Sequence, residues 1–196
     1  MNRTHYYIVN AITLYRLLAT LVLAVCLAKQ ALPAFRWLLA ISFFTDALDG
    51  WLARRLKVTS DRGARLDSIA DDATVLVAII GILVFQPDFV WEELPLFFIL
   101  IGLYLLQLLV AMIVYGRPTS FHTYAAKVAT VAQGGFLIIF FFSDEWPVTL
   151  FHVAAALTAY DLLEELVLVA LLPSWRANVK GFWWVLKRKH STISSP

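Results

Sequence analysis

Four aspartates are the residues of this chain with the clearest capacity for chemistry. Asp46, Asp49, Gly50 and Ala53 recur at i, i+3, i+4 and i+7, and Gly63, Asp67 and Asp71 at i, i+4 and i+8, so each set shares one face of a helix. Both sets sit at the edge of long apolar runs. An ionisable group at membrane depth costs on the order of 3 kcal/mol even on mild insertion scales, so it marks function or a polar interior. Carboxylates packed together in low dielectric stay ionised only if a cation compensates them. Oxygen-only ligands select a hard divalent ion, Mg²⁺ or Mn²⁺, over zinc. Two such ions a few ångströms apart suit displacement at phosphorus. Gly50 and Ala53 add small residues on the carboxylate face, where a ligand can come close. Asp72, about 100° around the helix from Asp71, stays outside the set.

The elements that must position these residues are membrane helices. Of 196 residues 61% are apolar and 15% charged, with a mean hydropathy of +0.76, which is too apolar for a soluble domain of this size. Windows of about 20 apolar residues occur at 11–28, 34–55, 64–86, 95–115, 124–143 and 148–171. The breaks between them carry turn or polar chemistry: Lys29 to Pro33, Lys57 to Arg62, Gln86 to Pro95, Gly116 to Ser120 and Ser143 to Pro147. The expected fold is an all-α integral membrane protein, a bundle of six transmembrane helices. No cleavable leader pattern opens the chain, so the first span is expected to be retained. The single Cys26 excludes an intrachain disulfide and a multi-cysteine metal site.

Of the 16 Lys and Arg residues only Lys29 and Arg36 fall on the side of the bundle that carries Asp88, Glu92, Glu93, Asp144 and Glu145. The positive-inside rule then places both termini in the cytoplasm of a multi-pass protein of the cell, or inner, membrane. After a catalytic domain over 1–172, the tail 173–196 mixes Trp175, Phe182, Trp183 and Trp184 with Lys and Arg. It reads as a short interfacial helix on the cytoplasmic leaflet. The loop between the second and third spans is short, so the two aspartate faces come side by side near that leaflet.

These residues resemble the signature of the CDP-alcohol phosphotransferases, D-x2-D-G-x2-A-R-x8-G-x3-D-x3-D. Asp46, Asp49, Gly50, Ala53, Arg54, Gly63, Asp67 and Asp71 meet every spacing. The resemblance implies a six-helix fold that usually dimerises. It also implies two ions, Mg²⁺ or Mn²⁺, held by Asp46, Asp49, Asp67 and in part by Asp71, which would also be the general base. Gly50, Ala53 and Arg54 would lie against the cytidine diphosphate, with Ser60 in the neighbouring loop. Asn10, Thr13 and Arg16 resemble the P-N-x-L-T-x2-R opening of many bacterial members, with Val9 for proline and Ile12 for leucine. They would be nucleotide or phosphate contacts. Ala126-Lys127-Val128-Ala129-Thr130 with Gln133 resembles the G-K-x-K-T-x2-Q stretch of phosphatidylglycerophosphate synthases, with alanine at the first position and at the second lysine.

On that resemblance the substrates are CDP-diacylglycerol, drawn from membrane lipid, and a small alcohol, and no nucleic-acid partner is expected. Arg54 would grip the diphosphate with its planar fork, Asp71 would take the proton of the attacking hydroxyl, and CMP would leave. Arg117 and Lys127 are the candidates for an anionic acceptor, glycerol 3-phosphate first. Inositol phosphate, phosphatidylglycerol, serine and aminoalcohols remain open because the second lysine is missing. Asp161, Glu164 and Glu165 share a face of the sixth span and either pair with Arg16, Arg117 or Lys127 or select an uncharged or cationic acceptor. A carboxylate-based transporter is the rival class. It would commonly show an inverted repeat and helices broken at mid-membrane, and the sequence shows neither.

Overall fold

The computed structural model describes residues 18–56, 61–119, 121–176 and 179–193, with side chains except at 46–56, 61–72 and 188–193. Every regular element among them is a helix. Contacts divide the chain into two compact units, Met1–Glu92 and Glu93–Pro196.

The first unit holds α1, described over Leu18–Ala28, α2 (Leu32–Leu56), α3 (Asp61–Phe85) and a six-residue α4 (Pro87–Glu92). Helix α1 stops at Gln30, which takes a left-handed φ of 52°. The Gln30 N–H donates to Leu27 O and the Ala31 N–H to Cys26 O, both at 2.9 Å. This paired closure satisfies carbonyls that the helix end would otherwise orphan. Pro33 then occupies the first turn of α2, where its missing N–H costs nothing. Phe35, Leu39 and Ser42 form the buried stripe of α2, and Thr74, Ala78 and Ile82 that of α3. The Phe35 and Phe85 rings meet at 5.3 Å between centroids. Thr20 of α1 and Thr74 of α3, both buried, share a hydrogen bond of 2.9 Å.

The second unit holds α5 (Leu94–Tyr115), α6 (Tyr124–Phe142), α7 (Val148–Leu171) and α8 (Phe182–Ile193). Helix α7 packs against each of the other three. At one end Phe97, Phe136 and Phe151 stack, with centroids 5.2 and 5.3 Å apart. At the other, Ala111, Phe121, Leu168, Val169 and Leu172 form a buried cluster. Gly116 ends α5 at φ 67°, a conformation that glycine adopts without a Cβ clash. Thr123 caps α6 by accepting from the Ala126 N–H at 3.0 Å.

Among the described residues each apolar window corresponds to one helix, the first of them seen from Leu18 on. Helix α3 starts at Asp61 rather than 64 because Asp61 and Arg62 extend the helix past its apolar part. Helices α5 and α6 are long and apolar enough to cross a bilayer by length and composition. Only 11% and 28% of their apolar windows are buried, and outward apolar surface on this scale suits a helix bathed in lipid. In α7, 24 residues long, Asp161, Glu164 and Glu165 interrupt the apolar run.

Two details depart from the sequence reading. The break between Gln86 and Pro95 contains α4, which buries Phe89 and Val90. In the tail, helix begins only at Phe182, so Trp175 lies outside it. Just before α8 lies Gly181, whose φ is 141° and whose added Cβ would meet Glu164 Oε1 at 3.0 Å. Gly181→Ala is therefore expected to lose about 1–3 kcal/mol through backbone strain and displacement of that carboxylate. Thermal unfolding in detergent checks this, and an unchanged midpoint would remove the contact from any structural role.

Candidate active site

Helix periodicity carries the buried stripes of α2 and α3 straight into the signature. Positions 46 and 49 follow Phe35, Leu39 and Ser42 at steps of three and four, and positions 67 and 71 precede Thr74, Ala78 and Ile82 in the same way. The backbones of Asp46, Asp49, Gly50, Ala53, Arg54, Gly63, Asp67 and Asp71 are helical. Their side chains lie outside the described residues, as do Asn10, Thr13, Arg16 and Ser60 entirely.

Register follows from the far ends of the two helices. The Phe35–Phe85 contact brings those residues to about the same level, near the start of α2 and the end of α3, so the two helices run antiparallel. Counting inward by equal steps sets Asp46 level with Thr74, Asp49 with Asp71 and Ala53 with Asp67. All four aspartates then fall within two turns, about 10 Å of helix axis. Thr20, bonded to Thr74, brings α1 to the same level. By residue type, aspartates with no cysteine or histidine between them in the sequence suit hard divalent cations.

In the second unit the carboxylates of α7 find neutral donors. Glu165 Oε2 accepts from Gln107 Nε2 and from the Thr119 hydroxyl, each at 2.7 Å. Gln107 Nε2 also donates to Thr119 Oγ1 at 2.6 Å, which closes a triangle. Asp161 Oδ1 accepts from the Thr123 hydroxyl at 3.3 Å. Glu164 Oε1 accepts from the backbone N–H of Phe182 at 2.9 Å, whereas its Oε2 is buried without a hydrogen-bond partner. Arg117 and Lys127 are not among the partners of these carboxylates. Among the described residues no group of three or more His, Cys, Asp or Glu is placed to hold a metal ion. The acidic face of α7 is thus a hydrogen-bonding hub that ties α5, the 116–123 loop and α8 together.

Gln107 and Thr119 were not singled out from sequence. The available signal was Gln107 itself, the one amide in an otherwise apolar α5. Gln107 is 4% exposed, so Gln107→Leu strips the half-buried Glu165 carboxylate of a donor. The expected cost is about 1–3 kcal/mol, seen as a lower unfolding temperature in detergent; wild-type stability would show that Thr119 alone satisfies Glu165.

The stretch around Lys127 is divided between packing and surface. Ala129 is 2% exposed, so the position where the resembling stretch carries its second lysine is packed inside the protein. Gln133 Nε2 donates to Thr158 Oγ1 at 2.6 Å and ties α6 to α7. Lys127 is exposed, with its ammonium 5.4 Å from the centroid of the Tyr124 ring. Arg117 lies 4.0 Å over the Trp175 ring.

Comparison with known proteins places this arrangement. Residues 6–174 match the model of the family described as CDP-alcohol phosphatidyltransferase. The chain is 37% identical over 90 residues to CDP-diacylglycerol–inositol 3-phosphatidyltransferase 1 of Arabidopsis thaliana, covering 45% of this chain and 39% of that protein. It is 38% identical over 95 residues to CDP-diacylglycerol–glycerol-3-phosphate 3-phosphatidyltransferase of Cereibacter sphaeroides, covering 46% and 43% respectively. The matched stretch therefore spans less than half the length of either relative. No solved structure matches the chain.

Proposed function

Because the chain belongs to the CDP-alcohol phosphatidyltransferase family, we propose that it transfers a phosphatidyl group from CDP-diacylglycerol to an alcohol, with release of CMP. What supports this reading is the family match over residues 6–174 together with the complete signature on α2 and α3.

Asp46, Asp49, Asp67 and Asp71 would hold two Mg²⁺ or Mn²⁺ ions, which when bound neutralise charge on the diphosphate. Arg54 binds the diphosphate through its planar fork, and Gly50 and Ala53 leave room for the nucleotide. Asn10, Thr13, Arg16 and Ser60 complete the nucleotide contacts. Asp71 removes the proton of the acceptor hydroxyl. The hydroxyl oxygen then bonds to the phosphatidyl phosphorus while the bond from that phosphorus to the bridging oxygen breaks, and the electron pair leaves with CMP. Six spans with both termini cytoplasmic set this site at the inner leaflet, where the lipid tails of the donor remain in the bilayer. The active form is a homodimer.

One relative is named for inositol as acceptor and the other for glycerol 3-phosphate. Arg117 and Lys127 have no carboxylate partner among the described residues, which favours an acceptor that carries a phosphate, glycerol 3-phosphate first. The test is CMP release by the purified protein with CDP-diacylglycerol and Mg²⁺ or Mn²⁺ across glycerol 3-phosphate, inositol, inositol phosphate, serine and phosphatidylglycerol. Release that depends on a phosphorylated acceptor supports the reading. Release only with serine or inositol would overturn the acceptor assignment, and none with any alcohol would overturn the activity.

A further inference from the structure

The C-terminal segment reaches both cations that flank the α5–α6 loop. Trp175 makes two contacts there: its indole N–H donates to Pro118 O at 3.1 Å, and its ring lies under the Arg117 guanidinium at 4.0 Å. Trp184, in the first turn of α8, packs against Tyr124 with centroids 5.4 Å apart and the rings tilted by 41°. The Tyr124 ring lies in turn 5.4 Å from the Lys127 ammonium. The same segment is fixed at its middle, where the Tyr124 N–H donates to Lys180 O at 3.3 Å and the Phe182 N–H to Glu164 Oε1 at 2.9 Å. One anchored piece of chain therefore presents an aromatic ring to Arg117 directly and to Lys127 through Tyr124.

Such contacts suit cations that are kept for a ligand. A guanidinium held over an indole by cation–π attraction keeps its charge and its N–H donors available to an oxyanion, since an aromatic ring neutralises neither. A carboxylate partner would occupy those donors and cancel the charge. Neither Arg117 nor Lys127 has such a partner among the described residues, because Asp161, Glu164 and Glu165 are engaged by Thr123, the Phe182 N–H, Gln107 and Thr119. Both side chains are long and lose rotamer freedom when they bind. Aromatic contacts made beforehand reduce that loss.

We propose that Trp175 and Trp184 are positioning residues for acceptor binding, holding Arg117 and, through Tyr124, Lys127 ready for the phosphate of a phosphate-bearing alcohol. This rests on the transferase reading for the identity of the alcohol, and on the contacts above for the role of the two tryptophans.

Equilibrium binding of glycerol 3-phosphate and of inositol phosphate to the full-length protein, measured by calorimetry without donor, separates the two. Trp175→Leu and Trp184→Leu are expected to weaken the Kd of the acceptor that binds by about tenfold. Trp175→Phe and Trp184→Phe should recover most of the loss. In an Arg117→Ala background Trp175→Leu should add nothing, since it acts through that side chain. In turnover the same variants should raise KM for the acceptor and leave kcat and the KM for CDP-diacylglycerol within about twofold. A wild-type Kd in both leucine variants would overturn the proposal, as would an equal loss with and without Arg117 or failure of the wild-type protein to bind either phosphate. Normal binding without CMP release would instead count against the transferase reading alone.

Discussion

Asp71→Asn is expected to lower CMP release by about 10³-fold or more with the protein still folded. Position 71 lies on the stripe of α3 that continues through Thr74, Ala78 and Ile82, level with Asp49 of α2. Asparagine keeps the size and polarity of the side chain, so the helix pair is not asked to repack. On the proposed mechanism it removes the carboxylate that would take the proton of the attacking alcohol, and with it one of the charges that would hold the cations. Asp72→Asn is the control: it sits about 100° around the same helix and should change release by less than about threefold, within the range of a surface substitution. Full turnover in Asp71→Asn, with an unfolding transition like that of wild type, would remove this residue from the role of base.

Removing divalent metal is expected to bring release to background, and Mg²⁺ or Mn²⁺ to restore it. On the proposed arrangement the four carboxylates would repel one another in low dielectric unless cations balanced them. Metal should therefore stabilise the fold as well as catalysis. At a hundredfold excess over its Kd, binding to the native state alone adds about 2.7 kcal/mol, which should appear as a higher unfolding temperature in Mn²⁺ that Asp46→Asn or Asp67→Asn diminishes. Undiminished release in excess chelator would exclude the metal assignment, and an unfolding temperature indifferent to Mn²⁺ would exclude binding at the four aspartates.

Local patterns in the sequence determined the helices and the candidate chemistry. Apolar run length set the helices, Pro33, Gly116 and Thr123 set where some of them start and stop, and steps of three and four residues placed Asp46 with Asp49 and Asp67 with Asp71 on one helix face each. Each depends on residues within two turns of one another, so the one-dimensional order already contains it. The antiparallel register of α2 and α3 needed one long-range contact, Phe35 to Phe85, but the short loop had already limited the choice.

Tertiary structure alone decided what the α7 carboxylates and the tail do. Glu165 meets Gln107 and Thr119 across 58 and 46 residues of sequence, and Trp175 meets Pro118 across 57. From sequence, Arg16, Arg117 and Lys127 were the candidate partners for those acids. Arg16 lies outside the described residues; among the described ones, helix packing brings an amide, hydroxyls and a backbone N–H to the acids and leaves Arg117 and Lys127 to aromatic rings. It also buried Ala129, where a lysine would have no water for its charge. Pairing across such separations depends on which helix faces meet, and no periodicity within a single helix encodes that.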